Sequence, residues 1–231
     1  MSDPVTDADP VRTVLAARTS AAAAVLVIAL RGGHWPYSCG LAGVVRRLAP
    51  RLSAAGAEVL LLASETPGTR QAISAAWRLP FPWVPDVAVE AVARELGAWD
   101  QASGRVLDGL GLLGPDGAWI LRQDFDDPSG TGSPEDVLAA LRRAALAPVP
   151  ALPSAGAEGP ASGTPAPADG TLVRDPGQAA EILRRALAGA DHLARRLPPA
   201  SAAAANAERT RLRLALYLQS VQDLVPASCP A

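Results

Sequence analysis

The stretch AVLVIALRGGHWPYSCG, residues 24–40, decides how the chain is read. Its first seven residues are uncharged and rich in branched side chains, the pattern of a strand covered on both faces as in a parallel sheet. Glycines, His34, Trp35 and Cys39 follow at once, so a buried strand runs into a turn that carries chemically able side chains. Beyond the turn, LAGVVRRLAPRLSAAG places Leu41, Val44, Val45, Leu48 and Leu52 at helical spacing. Gly56 then ends the helix, because glycine takes positive φ at little cost. The unit is strand, turn, helix, with a thiol at the corner.

Working outward, AEVLLLAS at 57–64 is a second buried strand, and TPGTRQAISAAWRL starts a helix with Thr66 as N-cap and Pro67 in its first position. PFPWVPD is a stiff proline-rich loop, and VAVEAVARELGAWD is a helix stopped by Gly97. RVLDGLGLLGPDGAWILRQDF reads as two strands around a GPDG turn. SPEDVLAALRRAAL is a helix with Ser133 as N-cap and Pro134 in its first turn. A helix from about Pro10 to Thr19 precedes the first strand. The expected fold is α/β, in the order β-α-β-α, α, β-hairpin, α after that first helix.

Composition divides the chain into a domain at 1–146, an Ala/Pro/Gly/Ser linker at 147–173 and a helical hairpin at 174–231. In the hairpin, Asp175 caps and Pro176 opens a helix whose stripe is Ala179, Ile182, Leu183, Ala186, Leu187, Leu193 and Leu197. PPA breaks it, and the second helix carries Leu212, Leu216, Leu218 or Gln219, and Val221 among arginines. Two helices of this size must dock their apolar face on something, whether their own domain, a second subunit or another protein.

All 21 basic residues are arginine, so amine nucleophiles and Schiff-base chemistry are excluded. A formal charge of −2 without a basic run argues against nucleic acid. The start of the chain lacks the pattern of a secretory signal, and AAAAVLVIAL at 21–30 is far short of the roughly 20 residues that cross a membrane. These features lead to the expectation of a soluble, cytoplasmic protein with no membrane partner, in which two cysteines are reactive or inert thiols before they are a structural disulfide. Two histidines and two cysteines far apart form no metal-ligand spacing, and GLGLLG at 109–114 lies in a strand pair and not in a phosphate loop, so neither a metal nor a cofactor is expected.

Four pieces in order resemble the thioredoxin fold, and more closely the peroxiredoxin-like (alkyl hydroperoxide reductase/thiol-specific antioxidant) superfamily, over roughly residues 10–145. They are VLVIALRGGHWPYSC, LAPRLSAAGAEVLLLASETP, VAVEAVARELGAWD and GLGLLGPDGAWILRQD. The resemblance implies a thioredoxin-like three-layer fold with a central mixed sheet, and a thiol oxidoreductase that reduces peroxides through Cys39, passing through a sulfenate. Ser38, His34 and Arg122 would assist, with Arg31 and Arg105 as other cations in reach. Cys229, in ASCPA, would be the resolving thiol, or an external thiol reductant would act; Trp35, Pro36, Tyr37 and Trp83 would wall the pocket. The hairpin and its linker would allow exchange into a homodimer.

The wording departs from that family at three places, one of them the absence of the proline that thioredoxins place before the hairpin strand. Pro36 stands three residues before Cys39 where a hydroxyl or a first cysteine is expected, and Asp108 stands where an arginine is expected, which would raise a neighbouring thiol pKa instead of lowering it. Two readings of Cys39 therefore stay open. A helix N-terminus lowers a thiol pKa and favours a working thiolate, whereas a small buried hydrophobe is where free cysteines commonly sit. The second reading makes the chain a redox-inactive thioredoxin-fold binding or accessory protein whose pocket or hairpin engages a partner or a small molecule.

Overall fold

A computed structural model describes residues 9–17, 20–122, 134–150 and 172–225. Its centre is β1 (Ala24–Ala29), all six of whose residues are buried. That total burial follows from its neighbours: β2 (Ala57–Leu62) pairs with it in parallel, Val27 opposite Leu60, and β5 (Gly109–Leu113) pairs antiparallel on the other side, Val27 opposite Gly111. β6 (Trp119–Arg122) adds antiparallel to β5, with an irregularity in register between Leu112 and Leu113. The four-stranded mixed sheet has the order β2-β1-β5-β6.

Because successive side chains of a strand point to opposite faces, β1 divides its residues between two cores. Leu26, Ile28 and Leu30 join Val59, Leu61, Leu110 and Leu112 in one cluster; Val25, Val27 and Ala29 join Leu60, Leu62 and Leu113 in the other. The first face is covered by α2 (Pro36–Ala54), α3 (Pro67–Trp77) and α5 (Pro134–Ala144), through residues such as Leu41, Val45, Ile73, Trp77, Leu138 and Leu141. The second is covered by α1 (Pro10–Ala16), a 3-10 turn at Asp86–Ala88 and α4 (Val89–Leu96). A short ribbon of β3 (Trp99–Asp100) and β4 (Arg105–Val106) closes this side through Val106.

The hairpin consists of α6 (Pro176–Arg196) and α7 (Ala202–Gln222), both of which pack on α2. It adds Ala179, Ala180, Leu183, Leu214, Val221 and Leu224 to the first core. Its caps follow the local chemistry: the Asp175 carboxylate accepts from the Gly177 N–H, and the Ser201 hydroxyl accepts from the Ala204 N–H. Thr66 caps α3 by accepting from the Thr69 N–H, and Gly97 ends α4 at φ +79°.

Several expectations need correction. The helix after β1 begins at Pro36, five residues before Leu41, so Cys39 lies inside its first turns and not in a turn ahead of it. The helix expected to reach Thr19 ends as a described helix at Ala16. The short β3–β4 ribbon was not expected: Arg105–Val106, read as the start of the strand before the GPDG turn, pairs instead with Trp99–Asp100. In the hairpin, Leu193 and Leu212 are more than half exposed, at 53 and 54 %, and Leu214 is buried in place of Leu212, while Val221 of the expected stripe is buried and Leu218 packs on the core. At the expected linker's two ends, Val149 is buried with its N–H on the Ser53 carbonyl, and the Arg174 N–H bonds to the Gly33 carbonyl. Ser133, Thr19 and Cys229 lie outside the described residues.

Candidate functional site

The corner between β1 and α2 is built by backbone constraint. Gly32, at φ +141°, sits so close to the Glu65 carboxylate that a Cβ there would overlap it and crowd the His34 ring at 3.1 Å. Trp35 is the N-cap of α2 without a side-chain cap bond, and Pro36 takes the first helical position, where a missing N–H costs nothing. Pro36, Ser38 and Cys39 are buried and His34, Trp35 and Tyr37 are half-buried. The half-buried rings form a row: Arg31 lies 4.6 Å over Trp35, whose ring centre is 5.5 Å from Tyr37 and 6.5 Å from His34.

Ser38 and Asp108 lock this corner to the segment before β5. The Ser38 hydroxyl donates to the Asp108 carboxylate, and the Arg31 N–H bonds both Ser38 Oγ, at 3.1 Å, and Asp108 Oδ1, at 2.9 Å. Burial pushes the Asp108 carboxyl up to about 6; the bonds from Ser38 and the Arg31 backbone, the Arg31 charge and a Trp35 hydrogen bond oppose that rise without cancelling it.

Cys39 is fully buried, and its thiol is pushed up to about 12, first by desolvation and second by the negative charge of Asp175. The helix N-terminus favours the thiolate by about 1 kcal/mol in ordinary cases, and loss of solvent outweighs it here. The acidic residue that raises this thiol is thus Asp175 of the hairpin, and not Asp108 as the sequence suggested. The thiol is free.

The hairpin seals the corner. Tyr217 of α7 lies against Gly40 so closely that a Cβ on Gly40 would stand 2.6 Å from Tyr217 Cβ. A Cβ on Gly43 would stand 3.0 Å from the Ser220 carbonyl oxygen. Burial and the nearby Asp108 charge raise the Tyr217 phenol above its ordinary value. From the start of the hairpin, Arg174 Nε donates to the His34 carbonyl at 2.9 Å, and Trp77 Nε1 donates to the Arg174 carbonyl at 2.9 Å.

The expected site residues therefore separate. Cys39, Ser38, His34, Trp35, Pro36 and Tyr37 share the corner by continuity of chain. Arg122 does not join them: its guanidinium donates to the Glu95 carbonyl of α4 at 3.0 Å, on the sheet face opposite Cys39. Trp83 is set outside β2, because the Leu61 N–H bonds to the Pro82 carbonyl and the Val84 N–H to the Leu61 carbonyl. Its indole N–H bonds to Ser74 and its ring receives Arg70 at 5.8 Å, so these contacts are with α3, while the ring also packs on the edge of the core cluster that holds Cys39. His34 presents its carbonyl to Arg174, and among the described contacts its ring meets Trp35 and no thiol. Arg31 stacks on Trp35, and Arg105 is exposed.

Tyr217, Arg174 and Asp175 are the site residues that the sequence did not assign, and Asp108, which it placed beside the thiol, bonds Ser38 and the Arg31 backbone instead. No short motif marks them, since they reach the corner from segments 70 to 180 positions away. Among the described residues, no group of three His, Cys, Asp or Glu side chains is arranged to hold a metal. No described helix is long and apolar enough to cross a membrane. An open groove at the far end of α2 is lined by Arg51, Ala54, Leu138, Leu141, Arg142 and Leu146, away from the thiol. Neither a protein-family model nor a curated protein matches the chain.

Proposed function

We propose that this chain is a thioredoxin-like binding or accessory protein in which Cys39 packs the core and does not reduce peroxide. The order β2-β1-β5-β6, with a parallel β1–β2 pair, an antiparallel β5–β6 pair and helices on both faces, supports the thioredoxin-like reading. The observation that carries the functional reading is the burial of Cys39 under the hairpin with its thiol pushed up to about 12. Attack on a peroxide oxygen requires a thiolate within reach of solvent, and near neutral pH a thiol so placed is almost wholly protonated.

The corner is filled by the protein's own side chains, so the hairpin and not a pocket is assigned to binding. Leu193, near the end of α6, and Leu212, in the middle of α7, are exposed, as are Arg195, Arg196 and Arg209. The reading is tested by treating the native full-length protein with one equivalent of hydrogen peroxide and trapping sulfenate with dimedone, followed by peptide mass spectrometry. The expected result is no adduct on Cys39. Substantial labelling of Cys39 within minutes reinstates the peroxidase.

A further inference from the structure

Two half-buried polar side chains meet at the carboxyl end of the sheet, and the packing described above uses neither. β1 and β2 run in parallel with Ala29 opposite Leu62, so the loops that follow them leave the sheet side by side. The first loop carries Gly32 and His34, the second Glu65. Gly32 makes room for both: the Glu65 carboxylate takes the space of the missing Cβ, and His34 Nδ1 and Cε1 each stand 3.1 Å from that same point. A carboxylate and an imidazole edge therefore converge over one glycine. Open α/β sheets meet their ligands beyond the carboxyl ends of the strands, which is where this pair lies.

Among the described residues, neither side chain has a hydrogen-bond or ion-pair partner, and the only buried side-chain polar atom left without one is Arg70 Nε. The ring nitrogens of His34 and the oxygens of Glu65 are therefore open to solvent, although both residues are half-buried. A histidine kept for packing alone gives a ring nitrogen to a nearby polar group; this one does not. Its main chain, by contrast, is held on all sides. Arg174 Nε donates to the His34 carbonyl at 2.9 Å, the Arg174 N–H donates to the Gly33 carbonyl at 2.8 Å, and the Trp35 N–H donates to the Gly32 carbonyl at 3.1 Å. The ring stands edge-on to Trp35, 6.5 Å between centres at 61°.

A carboxylate that faces Nδ1 favours the proton on that nitrogen and leaves the lone pair on Nε2, the arrangement of a general base. Such hydrogen bonds are commonly long before a ligand arrives and tighten when it binds. We infer that His34 and Glu65 form an acid–base pair, in which Glu65 positions the Nδ1 proton and His34 Nε2 is the base for an O–H group, that of a small hydroxylated ligand or of water. The proton passes from oxygen to Nε2, and the Glu65 charge stabilises the imidazolium so formed. This goes beyond the role proposed above and does not depend on it, since the pair lies on the solvent side of the corner and uses no thiol.

Diethyl pyrocarbonate reads the access and basicity of Nε2. The nitrogen attacks an anhydride carbonyl carbon, the bond to the leaving ethyl carbonate breaks, and the Nδ1 proton passes to solvent. His192, exposed on α6, is the other histidine of the chain and the internal reference. The native full-length protein is treated with less than one equivalent at pH 7, and both histidine peptides are quantified by mass spectrometry. His34 is expected to react about 3-fold faster than His192 or more, despite its lower exposure. Glu65→Ala should slow His34 about 3-fold or more and leave His192 unchanged, with the fold checked by circular dichroism. Independently, nitrogen-15 NMR at pH 8 should find the His34 proton on Nδ1 in the parent protein and on Nε2 in Glu65→Ala. Should that variant unfold, the parent's tautomer and its ratio of His34 to His192 decide. His34 reacting no faster than His192, a parent proton on Nε2, or a rate and tautomer that Glu65→Ala leaves unchanged overturns the pair.

Discussion

Replacing Asp108 by Asn should make the protein more stable at neutral pH and remove part of its pH dependence. Asp108 Oδ1 accepts from the Arg31 N–H and the Ser38 hydroxyl, and an asparagine carbonyl can accept both. The difference is charge. An ordinary aspartate titrates near 3.9, and burial pushes Asp108 up to about 6. The folded state therefore holds a proton that the unfolded state has released between about pH 4 and pH 6. Over that interval stability falls as pH rises, and above about pH 6 the full cost is present. Two units correspond to about 3 kcal/mol at most, from which weakening of the Trp35 hydrogen bond subtracts about 1 kcal/mol. Urea denaturation of both proteins at pH 4, 5, 6 and 7.5 reads the effect. D108N should be equal to or less stable than the parent at pH 4 and more stable by about 1–2 kcal/mol at pH 7.5. A stability difference that is the same at both ends of the series, within about 0.5 kcal/mol, refutes the argument that a buried charge is carried at this corner.

Cys39→Ala should cost about 1 kcal/mol through lost packing, with no change in the slow background consumption of peroxide; differential scanning calorimetry and a peroxide assay check the two halves. Gly40→Ala should cost about 1–3 kcal/mol, because its Cβ would meet Tyr217 Cβ at 2.6 Å; adding Tyr217→Ala, which keeps that Cβ, should not restore the loss, as urea midpoints would show. Asp86→Ala removes the carboxylate 2.6 Å from buried Arg70, whose Nε has no partner among the described residues. Circular dichroism melts should record a loss of about 1–3 kcal/mol, less than a fully buried pair because Asp86 is itself more than half exposed. Ser201→Ala should lower stability by about 1 kcal/mol by leaving the Ala204 N–H without its cap.

Much of the fold was legible because its signals are local. β1 announces itself as an uncharged branched run and β2 as an apolar run interrupted only by Glu58, and Thr66–Pro67, Asp175–Pro176 and Ser201 mark helix starts by the hydrogen bonds their side chains supply. The start of α2 was less legible: Trp35 caps it without a side-chain bond, so only Pro36 marks the boundary. The two-residue strands β3 and β4 carry too few residues to show a period. On α7, apolar and arginine residues alternate, and the sequence does not show which of Leu212 and Leu214 faces inward; contact with α2 buries the second. Arg122 was placed by sequence near the thiol, but a strand sends neighbouring side chains to opposite faces, and the register of β6 turns this one toward α4.

The amino-acid sequence by itself determined where the chain could be a strand or a helix, that no lysine chemistry is available, and that a cysteine follows the central strand by ten residues. Tertiary structure decided what that cysteine is. A thiol at a helix N-terminus has a lowered pKa when solvent reaches it and a raised one when solvent does not. Here Tyr217 lies on Gly40 and Asp175 adds its charge, both from a hairpin more than 130 residues downstream, and desolvation sets the sign.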